Sequence, residues 1–351
     1  MDEEKKPERK SVTIYDIAKE AGVSAATVSR VLTNNANVRP EKKARIMKLI
    51  EKYNFTPNAM ARGLSDTRSK IIGVMAADVR NPFYSEVFVA CEQAARKWGY
   101  TVLLYNALGE METEKMLLGK LHEQRVDAVI QIGGRVDDLM SNLEYVEFVN
   151  ALPGALPMVV TGKLEGVQCY QVQIDAMKTM DLLMEHLIGL GHRDIALVGG
   201  RENVLSTFEK IQRYKQLLQR NQIEFRKELV RPTEKYNDTE AYIQMNRMLE
   251  EGIVPTAVIA INDYSAAGIV RSIQEHGYRI PEDISLVSYD NTYITELLMP
   301  RLTSIDYNYE NFGNKLVETA ISAVEGKEIP KLQMVTPTLV VRESSGPPRK
   351  Q

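Results

Sequence analysis

Polar and aromatic residues follow three short apolar runs of this chain. They are Asn262 and Asp263 after the run 257–261, Asp290 after the run 284–289, and Phe83 and Tyr84 after the run 71–76. Amide and carboxylate oxygens suit bidentate hydrogen bonding to vicinal hydroxyls or to a heterocycle edge, and aromatic rings offer a stacking face. The pattern predicts a small-molecule site, with the alternative that each polar residue only caps the helix that follows.

A second set of polar side chains lies on residues 13–33, which have the pattern of a helix-turn-helix. Thr13 is a plausible N-cap with Asp16 as its capping-box partner, Gly22 suits the tight turn, and Ser24 can cap a second helix to about Leu32. The outward face would carry Ala25, Ala26, Thr27, Ser29 and Arg30. This predicts contact with the DNA major groove, and the alternative is an ordinary helical hairpin on an enzyme surface.

The flanking segment and the charge distribution favour DNA binding. Residues 40–53 begin with proline and space their apolar side chains as one helix face, which can cover the first two helices. Residues 11–65 hold nine Lys and Arg against four Asp and Glu, whereas the whole chain has a net charge of −3. A basic N-terminal segment on an otherwise acidic chain suits contact with nucleic-acid phosphates through that segment alone.

Residues 55–64 have the pattern of one more helix of only two turns, in which Thr56 is the cap and Pro57 the first residue. An isolated helix of two turns is marginal in water, so we expect order only when a partner supplies it. The alternative is a plain interdomain linker, since residues 65–70 are polar.

Several motifs, in order, closely resemble the lactose-repressor (LacI/GalR) family of bacterial transcription regulators. The resemblance extends from about residue 11 to residue 343. The segments that carry it are TIYDIAKEAGVSAATVSRVL (13–32), NFTPNAMARGL (54–64), SKIIGV (69–74), NPFYSEV (81–87), RVDAVIQIGG (125–134), LIGLGHRDIALVGG (187–200), EGIVPTAVIAINDYSAAG (251–268) and DISLVSYDNT (283–292). The resemblance implies a ligand-responsive repressor of carbohydrate-related genes.

The resemblance also implies a set of DNA contacts. Contacts to phosphates or base edges would come from Thr13, Tyr15, Ser24, Thr27, Ser29, Arg30, Asn37 and Asn58. Ala25 and Ala26 stand where the family varies its base readout, and alanine offers at most apolar contact there. Leu64 matches a hinge leucine that wedges into the minor groove, and Ser65 replaces a lysine found in some relatives.

The remaining residues read as an α/β body, because short apolar runs alternate with helical stretches. Periodicity alone leaves one large doubly wound sheet as an alternative. The resemblance implies two lobes with parallel sheets, similar to periplasmic binding proteins, joined by three chain crossings. The expected boundaries are 1–55 for the three-helix headpiece, 56–69 for hinge helix and linker, and 70–351 for the body, with lobe 1 at about 70–170 plus 300–328 and lobe 2 at about 171–299 plus 329–343.

By resemblance, the effector would be held in the cleft between the lobes by Phe83, Tyr84, Tyr236, Asn262 and Asp290. The chain departs from the family twice. Lys210 stands where an arginine is common, and Lys163 follows Thr161 and Gly162 where an aspartate is common. One hypothesis is an anionic effector paired with both lysines, and the alternative is a neutral sugar with both lysines solvated.

Other features exclude competing classes. No apolar run approaches the roughly 18 residues of a membrane helix, and the charged start lacks a signal-peptide core, so we expect a cytoplasmic protein without membrane contact. Cys91 and Cys169 are expected as buried free thiols. With no phosphate loop, metal-ligand spacing or nucleophile elbow, neither a cofactor nor catalysis is expected. A solute-binding protein of the same body fold is the disfavoured alternative.

The expected assembly is a two-fold homodimer formed through the bodies, with one headpiece on each half-site of a pseudopalindromic operator in double-stranded DNA. The chain ends in SSGPPRKQ and shows no leucine-heptad tail, so we expect a dimer rather than a tetramer. Effector in the cleft would change operator affinity through the two hinges.

Overall fold

The computed structural model describes residues 12–32, 38–53, 55, 68–154 and 156–349. The chain divides into two compact units, Met1–Ser69 and Lys70–Gln351. The predicted hinge helix lies outside the described residues, as do Asn37, Asn58, Leu64 and Ser65. Within the described ranges, no helix is long and apolar enough to cross a membrane.

The first unit contains the predicted helix-turn-helix, built from α1 (Ile14–Ala21), α2 (Ala25–Leu32) and α3 (Pro40–Lys52). Asp16 N donates to Thr13 Oγ1 at 3.3 Å while Asp16 Oδ2 accepts from Thr13 N at 2.8 Å, which completes the capping box. Gly22 ends α1 in the left-handed region at φ 64°, where a residue without Cβ is unstrained. Fully buried side chains from each helix, among them Ile17, Val28 and Ile46, close a small core.

The second unit alternates strands and helices along its length. In chain order these are β1 (Ile71–Ala76), α4 (Pro82–Lys97), β2 (Thr101–Asn106), α5 (Met111–Glu123), β3 (Ala128–Ile132), a 3-10 helix (Gly134–Asp137), α6 (Leu143–Ala151), β4 (Met158–Val160), β5 (Tyr170–Ile174), α7 (Ala176–Gly189), β6 (Ile195–Val198), α8 (Leu205–Arg220), a 3-10 helix (Lys227–Leu229), β7 (Val230–Arg231), α9 (Asp238–Glu250), β8 (Ala257–Ala260), α10 (Asp263–Glu275), β9 (Ser285–Asp290), α11 (Ile294–Leu297), β10 (Thr303–Asp306), α12 (Tyr309–Val324), β11 (Leu332–Val335) and β12 (Thr338–Val340).

These strands form two sheets, each the centre of one lobe. The first has the order β11-β5-β4-β3-β1-β2 and the second the order β12-β10-β9-β8-β6-β7. The pairs within them are parallel except β10 with β12, which is antiparallel. Central strands such as β3 and β8 are buried along their whole length, as expected for parallel strands covered by helices on both faces. The predicted α/β class and two-lobed body are confirmed.

The helices cover each sheet from both sides. In the first lobe, α4 and α12 pack together on one face, around Val87 and Phe312, whereas α5 and α6 contribute Leu121 and Tyr145 to the other face. In the second lobe, α9 and α10 pack against each other on one face, and α7 and α8 pack together on the other. Each lobe therefore has a core of two apolar layers around its sheet.

The chain crosses between the lobes later than predicted. β5 and β11 pair with each other in the first sheet, although residues from 171 and from 329 onward were expected in the second lobe. β10 pairs with β9 in the second sheet, although residues 300–328 were expected in the first lobe. The strands that decide the crossings lie a few residues beyond the approximate boundaries, because sheet membership depends on pairing register and a strand of four or five residues does not reveal its partner.

Candidate functional site

A cavity of about 430 Å³ lies between the two lobes, where the loops after the strands meet. Loops after β1, β3, β6 and β8 and the last residue of β9 contribute side chains, so the cavity faces the carboxyl ends of strands in both sheets. Open α/β sheets bind their ligands at that edge. The predicted residues that line it are Phe83, Tyr84, Lys210, Tyr236, Asn262 and Asp290.

The aromatic residues form a cluster on one side of the cavity. Phe83 meets Tyr84 edge to face with ring centroids 5.2 Å apart, and it meets Tyr307 in the same way at 6.0 Å. Edge-to-face contacts of this kind hold the rings in fixed orientations. Burial raises the pKa of the Tyr84 phenol, which therefore stays neutral and can act as a hydrogen-bond donor.

Asn262 has two roles that the sequence presented as alternatives. Its Oδ1 accepts from Ser265 N at 2.8 Å and so caps α10, while the residue also lines the cavity. Its Nδ2 lies 3.5 Å from the Tyr236 carbonyl oxygen. The Tyr236 hydroxyl is itself hydrogen-bonded to Thr207 Oγ1 at 2.7 Å. Both residues are thus held in place by the second lobe before any ligand enters.

Asp290 and Lys210 are buried ionisable groups on the cavity wall. Burial lowers the pKa of Lys210 to about 8, against the opposing charges of Asp290 and Asp137. Burial and the charge of Asp263 raise the pKa of Asp290 to about 8, against the opposing charge of Lys210. Lys210 Nζ also lies 3.9 Å from the centroid of the Tyr289 ring, a cation–π contact. Lys210 is therefore neither solvated nor free of protein charge.

The backbone of Asp290 is unusual for its residue type. Its φ of 99° is a conformation that side chains with Cβ rarely adopt, and its carbonyl oxygen accepts from Tyr309 Oη at 2.8 Å. Strain of this kind persists where the surroundings hold it and is frequent at functional sites.

Asp263 belongs to the core rather than to the cavity. Its carboxylate accepts from the hydroxyls of Ser288 and Ser304 and from both the N–H and the hydroxyl of Thr292. This fully buried carboxylate ties the start of α10 to the loop after β9. Its position after a strand end made it a ligand candidate, and these donors show a structural role.

Lys163 is a second correction, because it lies outside the cavity lining. Its Nζ forms an ion pair with Glu165 Oε1 at 3.2 Å, and its N–H donates to the Val136 carbonyl at 2.7 Å. The nearby Arg213 is directed elsewhere too, since its Nε pairs with Asp181 Oδ1 at 2.5 Å. The sequence does not show whether the side chain of a loop lysine points into the cavity or away from it. Here the side chain of Lys163 is directed toward Glu165.

Charged residues that sequence reasoning missed complete the cavity wall. Among its lining residues five are basic and five acidic, so the formal charges balance. They are Arg80, Arg135, Arg201, Lys210 and Lys235, and Asp78, Asp137, Asp138, Glu234 and Asp290. Four of them form two local ion pairs, Arg80 with Asp78 at 2.6 Å and Arg135 with Asp138 at 3.1 Å. The rule that ligands meet strand ends would have found Arg201 after β6 and Asp137 after β3.

The rim of the cavity carries a direct backbone link between the lobes. Asp138 and Val204 form an isolated antiparallel β-bridge, and Leu139 N donates to the Asn203 carbonyl at 2.9 Å. Asp138 follows β3 of the first sheet and Val204 follows β6 of the second. The two lobes are therefore hydrogen-bonded to each other beside the cavity.

The helix-turn-helix presents most of its predicted DNA-contacting side chains outward. Thr13, Tyr15, Ser24, Ala26 and Arg30 are exposed, and Tyr15 is 73% exposed. The remaining ones, Ala25, Thr27 and Ser29, are half-buried. Ser24 Oγ accepts from Thr27 N at 3.3 Å and so begins α2. No group of three potential metal ligands occurs in the part of the chain that the structure describes.

Comparisons with known proteins agree with this architecture. Residues 13–58 match the family model described as bacterial regulatory proteins, lacI family, and residues 184–345 match that of a periplasmic binding protein-like domain. The catabolite control protein A of Staphylococcus xylosus is 33% identical over 300 residues, which cover 84% of this chain and 87% of that protein. The lac repressor dimer bound to operator and the anti-inducer ONPF superposes with a TM-score of 0.85 at 28% identity, covering 96% of this chain and 100% of that one. A CelR–cellobiose complex shares the fold, with a TM-score of 0.70 at 24% identity, covering 95% of this chain and 99% of that one.

Proposed function

This chain belongs to the lacI family of bacterial regulatory proteins. We therefore propose that it represses carbohydrate-related genes by binding an operator, and that a small-molecule effector controls this binding. The observation that carries the proposal is a helix-turn-helix unit joined in one chain to a two-lobed unit with a polar cavity. The chain acts by binding, and catalysis plays no part in the proposed role.

The proposed DNA contacts follow from the exposed face of the helix-turn-helix. Tyr15, Ser24 and Arg30 would contact phosphates or base edges, joined by Thr13, Thr27 and Ser29. Asn37, Asn58 and Leu64 are proposed contacts on sequence grounds alone. Ala25 and Ala26 provide no hydrogen-bonding side chain, so specificity would rest on flanking contacts and on DNA shape.

For the effector, the cavity favours a neutral sugar over an anion. The anionic hypothesis needed two unpaired lysines, but Lys163 pairs with Glu165 outside the lining and Lys210 faces Asp290 and Asp137. The lining holds as many acidic as basic residues, so it has no excess of basic side chains. Phe83, Tyr84, Tyr236, Asn262 and Asp290 would supply the ring contacts and hydrogen bonds that orient a sugar.

The proposed assembly is a homodimer joined through the bodies, with two headpieces on one pseudopalindromic operator. Effector in the cavity would change the relation between the lobes and hence the affinity for DNA. The coupling is reciprocal, because operator and effector must change each other's affinity by the same factor.

The test combines a ligand screen with an operator assay on the full chain. In a thermal-shift screen of neutral sugars, sugar acids and sugar phosphates, a ligand at about 100 times its dissociation constant should stabilise by roughly 2.7 kcal/mol. We expect neutral sugars to raise the melting temperature. We also expect duplexes selected from random DNA to be pseudopalindromic, to bind two chains, and to change affinity when the sugar is added. Failure to enrich any duplex would overturn the proposed function.

Lys210 and Lys163 offer a matched pair of variants for the site itself. Lys210→Met removes the charge that opposes Asp290, so sugar affinity should fall by roughly tenfold or more. Lys163→Met removes an equivalent charge away from the cavity, so affinity should stay within about twofold. Isothermal titration calorimetry checks both, and equal losses in the two variants would contradict the proposed site.

A further inference from the structure

Asp137 lines the cavity without a fixed partner for its carboxylate, unlike Asp78 and Asp138 of the same wall. Asp78 is bonded by Arg80 and Asp138 by Arg135. Asp137 ends the 3-10 helix after β3 and lines the cavity, yet no donor among the described residues forms a hydrogen bond with its carboxylate. The carboxylate is half-buried, and its lone pairs are available to whatever enters the cavity.

The loop after β4 is shaped to accommodate this carboxylate. A Cβ at Gly162 would lie 1.9 Å from the Val136 carbonyl oxygen and 2.7 Å from Asp137 Oδ1. Such distances exclude any side chain at residue 162. The N–H of Lys163 donates to the same Val136 carbonyl at 2.7 Å and holds the loop after β4 close to the 3-10 helix after β3. Asp137 therefore occupies the space that a side chain after β4 would otherwise fill.

The charged and titratable groups around Asp137 come from four directions. Asp138 is its chain neighbour, Lys210 faces it from α8, Tyr84 from α4, and Tyr236 from the loop after β7. Burial and the charge of Asp138 raise the pKa of Asp137 to about 7, while Lys210 opposes that rise. A neutral donor that hydrogen-bonds to the carboxylate stabilises its charged form, whereas an anion there meets two acidic neighbours.

We propose that Asp137 is a specificity-determining residue of this cavity, whose carboxylate oxygens accept hydrogen bonds from neighbouring hydroxyl groups of a neutral polyhydroxylated effector. This rests on the proposed function, since it names the class of molecule that the regulator senses. A ligand that lacks those hydroxyls covers this carboxylate without pairing it and is rejected for that reason.

The experiment measures binding to the full chain by isothermal titration calorimetry. The probes are glucose, galactose, ribose, maltose, cellobiose and sucrose, with glucuronate and glucose 6-phosphate as anionic counterparts. Asp137→Asn is the test variant. Glu165→Gln is the matched control, because it also converts a carboxylate to an amide but lies outside the cavity. The expected loss for Asp137→Asn is roughly 10- to 100-fold for the neutral sugar that the wild type binds best. The control should change by less than about twofold.

A pH profile separates direct contact from a general loss of structure. Because the bound hydroxyls favour the ionised carboxylate, wild-type affinity should rise by roughly fivefold to tenfold between about pH 6 and pH 8. The control should keep this rise. In Asp137→Asn, the part of this rise that comes from ionisation of Asp137 should disappear. Only the pH dependence that Lys210 and Asp290 contribute should remain.

The possible outcomes separate the role of Asp137 from the proposed regulatory function. A neutral sugar that binds wild type and Asp137→Asn equally overturns the role of Asp137 and leaves the regulatory function standing. Binding of glucuronate or glucose 6-phosphate alone overturns the neutral class of effector. Binding of none of the probes, together with an operator affinity that no probe changes, overturns the carbohydrate-sensing function as well.

Discussion

At the scale of single residues, the cavity is defined by ionisable groups that have been removed from water. Asp137, Asp290 and Lys210 all have pKa values moved toward neutrality, and burial is the main cause in each case. Perturbed groups concentrated in one cleft are typical of functional sites. They also affect stability, because a proton held more tightly by the folded state than by the unfolded chain couples folding to pH.

Asp137→Asn should show this coupling without any ligand. Burial raises the pKa of Asp137 from 3.8 to about 7, so the stability that its proton contributes is complete below the unfolded value and is lost as pH rises through 7. Between about pH 5 and pH 8, the wild type should therefore lose about 1–2 kcal/mol relative to the variant. Urea unfolding of both proteins at the two pH values measures this difference. A difference in unfolding free energy that is the same at both pH values would contradict it.

At the scale of elements, close helix contacts depend on the absence of single side chains. α9 and α10 pack together on one face of the second sheet. A Cβ at Gly268, within α10, would lie 1.9 Å from the carbonyl oxygen of Asp238 at the start of α9. That oxygen belongs to the backbone, so the two helices would have to separate to admit a methyl group.

Gly268→Ala should therefore destabilise the protein although alanine favours helices. We expect a loss of about 1–3 kcal/mol in the free energy of unfolding, because overpacking outweighs the gain in propensity. Gly119→Ala is the matched control, since Gly119 lies within α5 and its Cβ would meet nothing within 4 Å. There the same change should be neutral or stabilise by up to about 1 kcal/mol. Thermal melting distinguishes the two, and a Gly268→Ala protein that melts like the control would contradict the packing argument.

The sequence predicts elements where a local cause is sufficient. Thr13, Asp16 and Gly22 specify the start and end of α1 through their own hydrogen bonds and backbone freedom, and the structure agrees. The rule for strand ends likewise brings Asn262 and Asp290 to one cavity. Features that depend on long-range geometry could not be predicted from the sequence. The partners of β10 and β11 and the orientation of Lys163 depend on neighbours far along the chain or on a competing ion pair.

At the scale of the whole molecule, the chain has two units with separate cores. Among the described residues of the first unit, the buried core residues lie on α1, α2 and α3, and Ile46 is fully buried among them. A core this small leaves little reserve of stability. The body has its own buried layers around each sheet, and the described residues that form these layers all belong to the body.

Ile46→Ala should consequently remove DNA binding and spare the cavity. Truncating a fully buried isoleucine costs about 2–4 kcal/mol, which is enough to unfold a unit of this size. Operator affinity, measured by fluorescence anisotropy, should collapse, while sugar affinity and the melting of the body remain those of the wild type. Met47→Ala, at the neighbouring residue that is 44% exposed, is the control and should keep operator binding. Loss of sugar binding in Ile46→Ala would contradict the independence of the two cores.

The link between Asp138 and Val204 affects how long a bound molecule stays in the cavity. Asp138 directly follows Asp137, so the residue proposed to hold the effector is one peptide unit from the backbone bonds that join the lobes. Widening the cavity at this rim requires those bonds to break. The residence time of a bound molecule is then governed by the rate at which the lobes part, a collective motion of microseconds to milliseconds or slower, rather than by diffusion. Entry and release of the molecule would then both depend on the same parting of the lobes.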